Sequence, residues 1–242
     1  LTTSRQHLAK PVLTAEVGDG GIRLNGFSPW VTSAHAADVI VMGATLVQGG
    51  DKGTQVLVAL ERETEGVEAE PGADLVALSS SCTDQVRLQN VFVPLSRIVD
   101  GPVENVLQRN SGGGAGGLQT STLALGLSVA ASDFLIQQAA SRSDLDPVAS
   151  KIQDDADELC SCLRQLNIGA SCGVDAAELR QRANSLVLRS TQAALSAAKG
   201  AGFVASHKTG RWAREALFFL VWSCPQTVVN ANLCELAQID AN

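Results

Sequence analysis

The residues best suited to hold a ligand are Pro29-Trp30-Val31-Thr32, which set a flat apolar face two positions from a hydroxyl donor. They lie between a glycine-bounded hairpin and the next apolar stretch. A planar ligand with a polar edge, such as a flavin, suits that pair. The same residues also describe a tryptophan packed in a β core with the threonine satisfied by backbone. On local pattern alone that plainer description comes first. Gly200-Ala201-Gly202-Phe203 is similarly two-sided. Glycine ends helices well because it reaches positive φ without steric cost, and it also lets backbone lie close against a cofactor. Arg214-Glu215 reads as an ion pair at a helix junction, usually a structural feature.

Other patterns carry less. Gly112-x-Gly114-x-x-Gly117 has the spacing of a dinucleotide fingerprint, but NVLQRNS before it is a poor strand and no βαβ unit follows. It reads as a glycine-rich hinge. Asp154, Asp157 and Glu158 share one helix face opposite Ile152 and Leu159, which is the layout of a solvated face. None of the six cysteines forms a CxxC pair, and Cys160 and Cys162 point to different faces of a helix. His7, His35 and His207 show no ligand spacing, so no metal site is expected. The cysteines read as mostly reduced and buried, which suits a cytoplasmic protein.

The elements that must position these residues change character near residue 110. Before it, Pro11–Gly18 and Ile22–Gly26 flank the turn-forming Asp19-Gly20-Gly21 and predict a hairpin. Asp38–Leu46 and Thr54–Leu60 are rich in β-branched residues and predict strands. In Asp84–Pro94, Val86 and Leu88 fall on one two-residue register and Val91 and Val93 on another, which predicts a bulge at Gln89-Asn90. After residue 117 the period becomes helical. Leu123, Leu127, Ala130 and Phe134 form one stripe. Val148, Ile152, Ala156, Leu159, Leu163 and Leu166 form a second, and Leu179, Ala183, Leu186, Val187, Ala194 and Ala197 a third. Gly210–Trp222 ends apolar nearly all round, as in a helix sunk between others, and Pro225 opens a last helix to about Ala237. The expected fold is α+β: an antiparallel β-barrel or sandwich domain over 1–110, then an up-down helical bundle over 111–242. At 242 residues, 45% hydrophobic and 18% charged, the chain has the balance of a globular protein. A net charge of −7 argues against a nucleic-acid surface, and the longest apolar run, Ala216–Trp222, is too short to span a bilayer.

These pieces resemble the acyl-CoA dehydrogenase family in order and spacing. LNGFSPWVTSAHAADVIVMGA (Leu24–Ala44) is similar to the family's NG-x-K-x-W-I-T stretch, and CTDQVRLQNVFVPLSRIVDGP (Cys82–Pro102) to its T-x-x-V-x-F-x-x-V-x-V-P stretch. KGAGFVASHKTGRWAREA (Lys199–Ala216) resembles its G-G-x-G-[FY]-…-R-D-A stretch. The resemblance implies a middle β domain and a C-terminal helical domain, with the family's N-terminal helical domain absent. It implies bound FAD, an acyl-CoA-like substrate and a homo-oligomer, dimer or tetramer. Trp30 would lie beside the flavin ring and Thr32 would hydrogen-bond its reactive edge. Arg142 would reach the FAD of a neighbouring subunit, and Gly200 and Gly202 would let backbone approach its adenosine part.

The departures from the family pattern bear on chemistry. The flavin loop threonine-glutamate-proline-glycine would fall where this chain begins LTTSRQH. Arg142 is followed by Leu145-Asp146 where relatives carry phenylalanine-glycine, and Ser196 stands where they carry glutamine. The turn that holds their catalytic glutamate reads Trp222-Ser223-Cys224-Pro225. The alternative base position falls near Gly116, and the acyl-CoA-binding arginine near Gly117. No catalytic residue is therefore assigned. Removing an α-proton from a thioester needs a base of tuned pKa, and a serine unaided is too weak. The expected activity is FAD-dependent oxidation of a CH–CH bond in an acyl thioester, by a fragment or by a chain lacking the usual glutamate. The alternatives are a flavin-dependent monooxygenase relative and a non-catalytic assembly protein on the same fold.

Overall fold

The structure, a computed structural model, describes residues 12–106, 118–222 and 224–239. The N-terminal LTTSRQH, the start of the first predicted strand, the run containing Gly112, Gly114, Gly116 and Gly117, and Ser223 lie outside the described residues. The chain divides into two compact units, Leu1–Ser111 and Gly112–Asn242, each with its own apolar core.

The first unit is a single seven-stranded sheet in the order β5-β6-β2-β1-β3-β4-β7. Its strands are β1 (Leu13–Gly18), β2 (Gly21–Val31), β3 (Val39–Leu46), β4 (Gln55–Glu61), β5 (Val67–Ala69), β6 (Asp84–Pro94) and β7 (Ile98–Val103). Gly18 pairs with Gly21, leaving Asp19-Gly20 as a two-residue turn in which Gly20 has φ of 75°. β2 does not stop at Gly26 but runs to Val31, carrying Trp30 with it. The sheet is mixed, because β3 starts where β2 ends and runs back, and so lies parallel to β1 when the two pair at Thr14↔Thr45 and Ala15↔Leu46. The other strand pairs are antiparallel, as expected.

The predicted bulge in β6 is present. Leu24 pairs with Val91 and Gly26 with Leu88, so Asn25 faces two residues, Gln89 and Asn90, and Asn90 has φ of 53°. The extra residue restores the alternation: Val86, Leu88, Val91 and Val93 are all buried on one face. Short β5 and the Gly-Pro-containing β7 have too little strand signal to be read from sequence.

The second unit is helical: α1 (Leu118–Ala139), α2 (Asp146–Asn167), α3 (Ala176–Ala197), α4 (Lys199–Gly202), α5 (Lys208–Ala216), α6 (Phe218–Val221) and α7 (Gln226–Ala237). Every member of the predicted α3 stripe is buried. In α2 the stripe holds from Ile152 onward, while Val148 is exposed. In α1 the predicted face is partly wrong. Leu123 is 55% exposed, and small residues, Ala124, Ser128 and Ala131, face the core beside Leu125 and Leu135. With apolar residues around most of its girth, α1 offers periodicity little purchase, and close helix packing selects the small side chains. The segment 210–222 is not one sunken helix. It breaks between Ala216 and Phe218, and Leu217, Val221 and Trp222 are exposed. Pro225 does precede α7, which ends at Ala237 as expected.

Cys162 and Cys172 are joined in a disulfide linking α2 to the loop before α3, while Cys82, Cys160, Cys224 and Cys234 form no disulfide. The argument from reduced cysteines to a cytoplasmic location therefore loses its footing. Among the described residues no helix is long and apolar enough to cross a membrane.

Candidate functional site

Trp30 owes its position to a second irregularity in the β2·β6 pairing. Ser28 pairs with Val86 and Val31 with Asp84, so Pro29 and Trp30 together face the single residue Gln85. Proline fits there because it has no N–H to give a ladder. A bulge re-aims the side chain it carries, and here Trp30 is 55% exposed while Ser28 before it is buried. Its indole is therefore not sunk in the β core, as the plainer description had it.

Thr32 and Ser33 follow directly. Ser33 has φ of 52° and turns the chain into the short 3-10 turn Ala34–Ala36. The turn is clamped to the loop before β6: the Ser33 amide donates to the Ser81 and Cys82 carbonyls at 3.0 and 3.2 Å. The Ser33 hydroxyl donates to the Ser81 carbonyl at 2.9 Å. Thr32 Oγ1 lies 3.0 Å from Thr83 Oγ1, which lies 2.9 Å from Ser81 Oγ. The result is an exposed tryptophan two positions before an exposed hydroxyl, which Thr83 holds and Ser81 supports through Thr83. Thr83 opens the T-x-x-V stretch of the sequence, but nothing there marks it or Ser81 as the partner of residues 32–33.

In the helical unit, Arg142, Gly200 and Gly202 gather near the end of α3. Arg142 Nη1 donates to the Ala197 carbonyl at 2.7 Å, placing a cation against a helix C-terminus. The left-handed residue at the junction of α3 and α4 is Lys199, the first of α4, with φ of 54°, and not Gly200. Gly200 is exposed, with nothing within 4 Å of where a Cβ would sit. Gly202 is buried, and a Cβ there would meet Thr209 Oγ1 at 2.8 Å and both Ala198 Cβ and Leu195 Cδ1 at 2.9 Å. A Cβ on Gly210 would come 2.5 Å from the Gly202 carbonyl oxygen, so α4 and α5 meet backbone to backbone at these two glycines. Gly202 thus has a packing reason of its own, whereas Gly200 leaves open backbone at the surface.

The segment Trp222–Pro225 is tied to α3 by a buried polar pair that sequence reading also missed. Arg180 Nε donates to Asn184 Oδ1 at 2.9 Å, and Arg180 Nη2 to the Trp222 carbonyl at 3.1 Å. Asn184 Nδ2 donates to the Phe219 carbonyl at 3.0 Å and to Cys224 Sγ at 3.9 Å. Burial pushes the Arg180 guanidinium below its usual range, and its charge interaction with Cys224 works against that shift. Trp222 stacks on Phe218 with ring centroids 4.7 Å apart. The segment carries no carboxylate.

The remaining candidates are structural. Glu215 pairs with Arg211, Nε to Oε1 at 3.5 Å, rather than with Arg214. Asp154, Asp157 and Glu158 are exposed, and Glu158 pairs with Arg182 at 2.6 Å. Asp155 bridges Lys151 and Arg189 at 2.6 and 3.4 Å. Burial raises its carboxyl pKa, but the hydrogen bond and charge of Lys151, with those of Arg189, bring it below the ordinary value.

A sheet unit followed by a helical unit is also the fold of the corresponding part of acyl-CoA dehydrogenases, and the chain is similar to the middle and C-terminal part of members of that family. It is 26% identical over 220 residues to mitochondrial isovaleryl-CoA dehydrogenase of Arabidopsis thaliana, which covers 85% of this chain and 54% of that protein. Among solved structures it matches a glutaryl-CoA dehydrogenase of Mycobacterium smegmatis in complex with FADH2, at a TM-score of 0.72 and 18% identity, over 96% of this chain and 63% of that one. It also matches PigA with FAD and proline, at a TM-score of 0.77 and 16% identity, over 94% and 63%. At these identities the structural matches establish the fold. No protein-family profile matches the chain. The chain spans about half the length of the curated relatives it matches.

Proposed function

We propose that this chain is the FAD-binding part of an oxidoreductase of the acyl-CoA dehydrogenase type, with an acyl thioester as substrate. The observation that carries the proposal is Trp30, exposed at its bulge two positions before the exposed Thr32 hydroxyl. Those residues fit the group. An indole more than half exposed gives a flat apolar surface for a tricyclic ring, and the hydroxyl gives a polar contact for the ring edge. When bound, FAD supplies a two-electron acceptor for hydride.

The work of the chain is to bind and orient. Trp30 covers one part of the ring and excludes water from it. Thr32 fixes the edge, and the clamp of Ser33 on Ser81 and Cys82 keeps both residues in place. In the helical unit, Gly200 would present bare backbone to the adenosine end of a neighbouring subunit's FAD, with Arg142 supporting the α3 terminus behind it. The protein assembles as a dimer or tetramer. No carboxylate lies in Trp222–Pro225, so α-proton removal falls to a base outside that segment.

The missing carboxylate favours a second reading, a monooxygenase-type relative that uses reduced flavin and oxygen and needs no α-base. The match to PigA with FAD and proline is a case of the fold with a ligand that is not a thioester. The two readings are separated by assaying the FAD-loaded protein with a panel of acyl-CoA thioesters and an electron-accepting dye, and by following oxygen uptake with chemically reduced flavin. Thioester-dependent dye reduction supports the first. Oxygen uptake without it supports the second.

A further inference from the structure

The hydroxyls of Thr32, Thr83 and Ser81 form a chain whose direction can reverse. Thr32 Oγ1 lies 3.0 Å from Thr83 Oγ1, and Thr83 Oγ1 lies 2.9 Å from Ser81 Oγ, and in both contacts either oxygen can donate. Ser33 is not part of it, because its hydroxyl is committed to the Ser81 carbonyl. The chain begins at an exposed hydroxyl and ends at half-buried Thr83 and Ser81.

We propose that Thr83 and Ser81 are positioning residues that let the Thr32 hydroxyl change from donor to acceptor as a bound flavin is reduced. This rests on the reading that Thr32 meets the reactive edge of FAD. Oxidised flavin offers a lone pair at N5. Reduction adds two electrons and one proton there, the electrons coming from dithionite in an assay or from the substrate that is oxidised in turnover, and N5 then carries N–H. Against the oxidised ring, Thr32 donates to N5 and accepts from Thr83, which accepts from Ser81. Against the reduced ring, Thr32 accepts from N5–H and its own hydrogen must go elsewhere. Thr83 Oγ1 receives it, and Thr83 passes its hydrogen to Ser81.

The asymmetry between the two states gives the test. A hydroxyl that loses a donor still has a lone pair open to water, whereas one that loses the acceptor for its only hydrogen forfeits a hydrogen bond outright. Thr83→Val therefore disfavours the reduced state more than the oxidised one.

The experiment is a dithionite titration of the FAD-loaded full chain against a redox dye, for wild type, Thr83→Val, Thr83→Ser and Ser81→Ala, with flavin affinity measured alongside. Thr83→Val is expected to lower the reduced-to-oxidised ratio at a fixed solution potential by about tenfold, a downward shift of about 30 mV for a two-electron couple. Thr83→Ser restores the wild-type potential. Ser81→Ala shifts it the same way by less, and this variant leaves the Ser81 carbonyl that clamps Ser33 in place, so it tests the chain even where Thr83→Val fails to fold. Unchanged potentials in Thr83→Val and Ser81→Ala, with FAD bound normally, overturn the proposal and leave the flavin reading standing. Failure of the wild-type chain to bind FAD overturns both.

Discussion

Gly200 and Gly202 are both expected from the sequence to let backbone approach a flavin, yet the structure gives them opposite surroundings, and alanine substitution separates their roles. At Gly202 a new Cβ would sit 2.8 Å from Thr209 Oγ1 and 2.9 Å from Ala198 Cβ and Leu195 Cδ1. Overpacking of that kind costs about 1–3 kcal/mol, offset by at most about 1 kcal/mol of improved helix propensity. Gly202→Ala should therefore destabilise by about 1–2 kcal/mol. At Gly200 a Cβ meets nothing within 4 Å, and φ there is not positive, so Gly200→Ala should stabilise by about 0.5–1 kcal/mol. Urea melts followed by circular dichroism report both, as midpoint shifts of opposite sign at constant slope. The flavin reading adds a second readout: Gly200→Ala should weaken FAD binding while raising stability, because a methyl would lie where the adenosine end approaches the backbone. Gly202→Ala as stable as wild type would refute the packing argument. Gly200→Ala binding FAD as tightly as wild type would remove that glycine from the site.

Further outcomes follow from the other clusters. Trp30→Ala should weaken FAD binding by about tenfold or more, the scale of losing a large aromatic contact, with little change in the melt because the indole is largely exposed; isothermal titration checks it. Asn184→Ala should destabilise by about 3 kcal/mol, since it strips the buried Arg180 guanidinium of one of its two partners and frees the Phe219 carbonyl. A loss under about 1 kcal/mol in the urea melt would contradict that. Asp155 has a folded-state pKa below its ordinary value, so its contribution is present above the unfolded carboxyl pKa and is lost as pH falls through the folded one. Asp155→Asn should therefore narrow the stability gap between neutral and acid pH, and parallel wild-type and variant pH–stability curves would count against it.

Much of the fold was legible because its signals were local. The Asp19-Gly20 turn, the β6 bulge at Gln89-Asn90 and the α3 stripe each follow from a few neighbouring residues. The misses have a common cause. α1 is apolar on several faces, so which face is buried depends on its neighbours and not on its own period. β3 runs parallel to β1 because of where the hairpin sits in the sheet, which no strand sequence records. In the site, Trp30 and Thr32 were visible as residue types, but their exposure depends on a bulge at Pro29-Trp30 that carries no composition signal. Thr83, Ser81, Arg180 and Asn184 act through partners 35 to 51 positions away, and no motif pairs residues at that separation. The Cys162–Cys172 bond was hidden for a related reason, since the turn after α2 brings those residues together in space.

The central claim is that this chain holds FAD through the Trp30–Thr32 platform. The most direct test is titration of FAD into the purified apoprotein, wild type and Trp30→Ala side by side, read by flavin absorbance and tryptophan quenching. The account predicts saturable one-to-one binding by the wild-type protein, a shifted flavin spectrum, and much weaker binding by the variant. A wild-type protein that leaves the flavin spectrum unchanged, or a Trp30→Ala variant that binds as tightly, would contradict it.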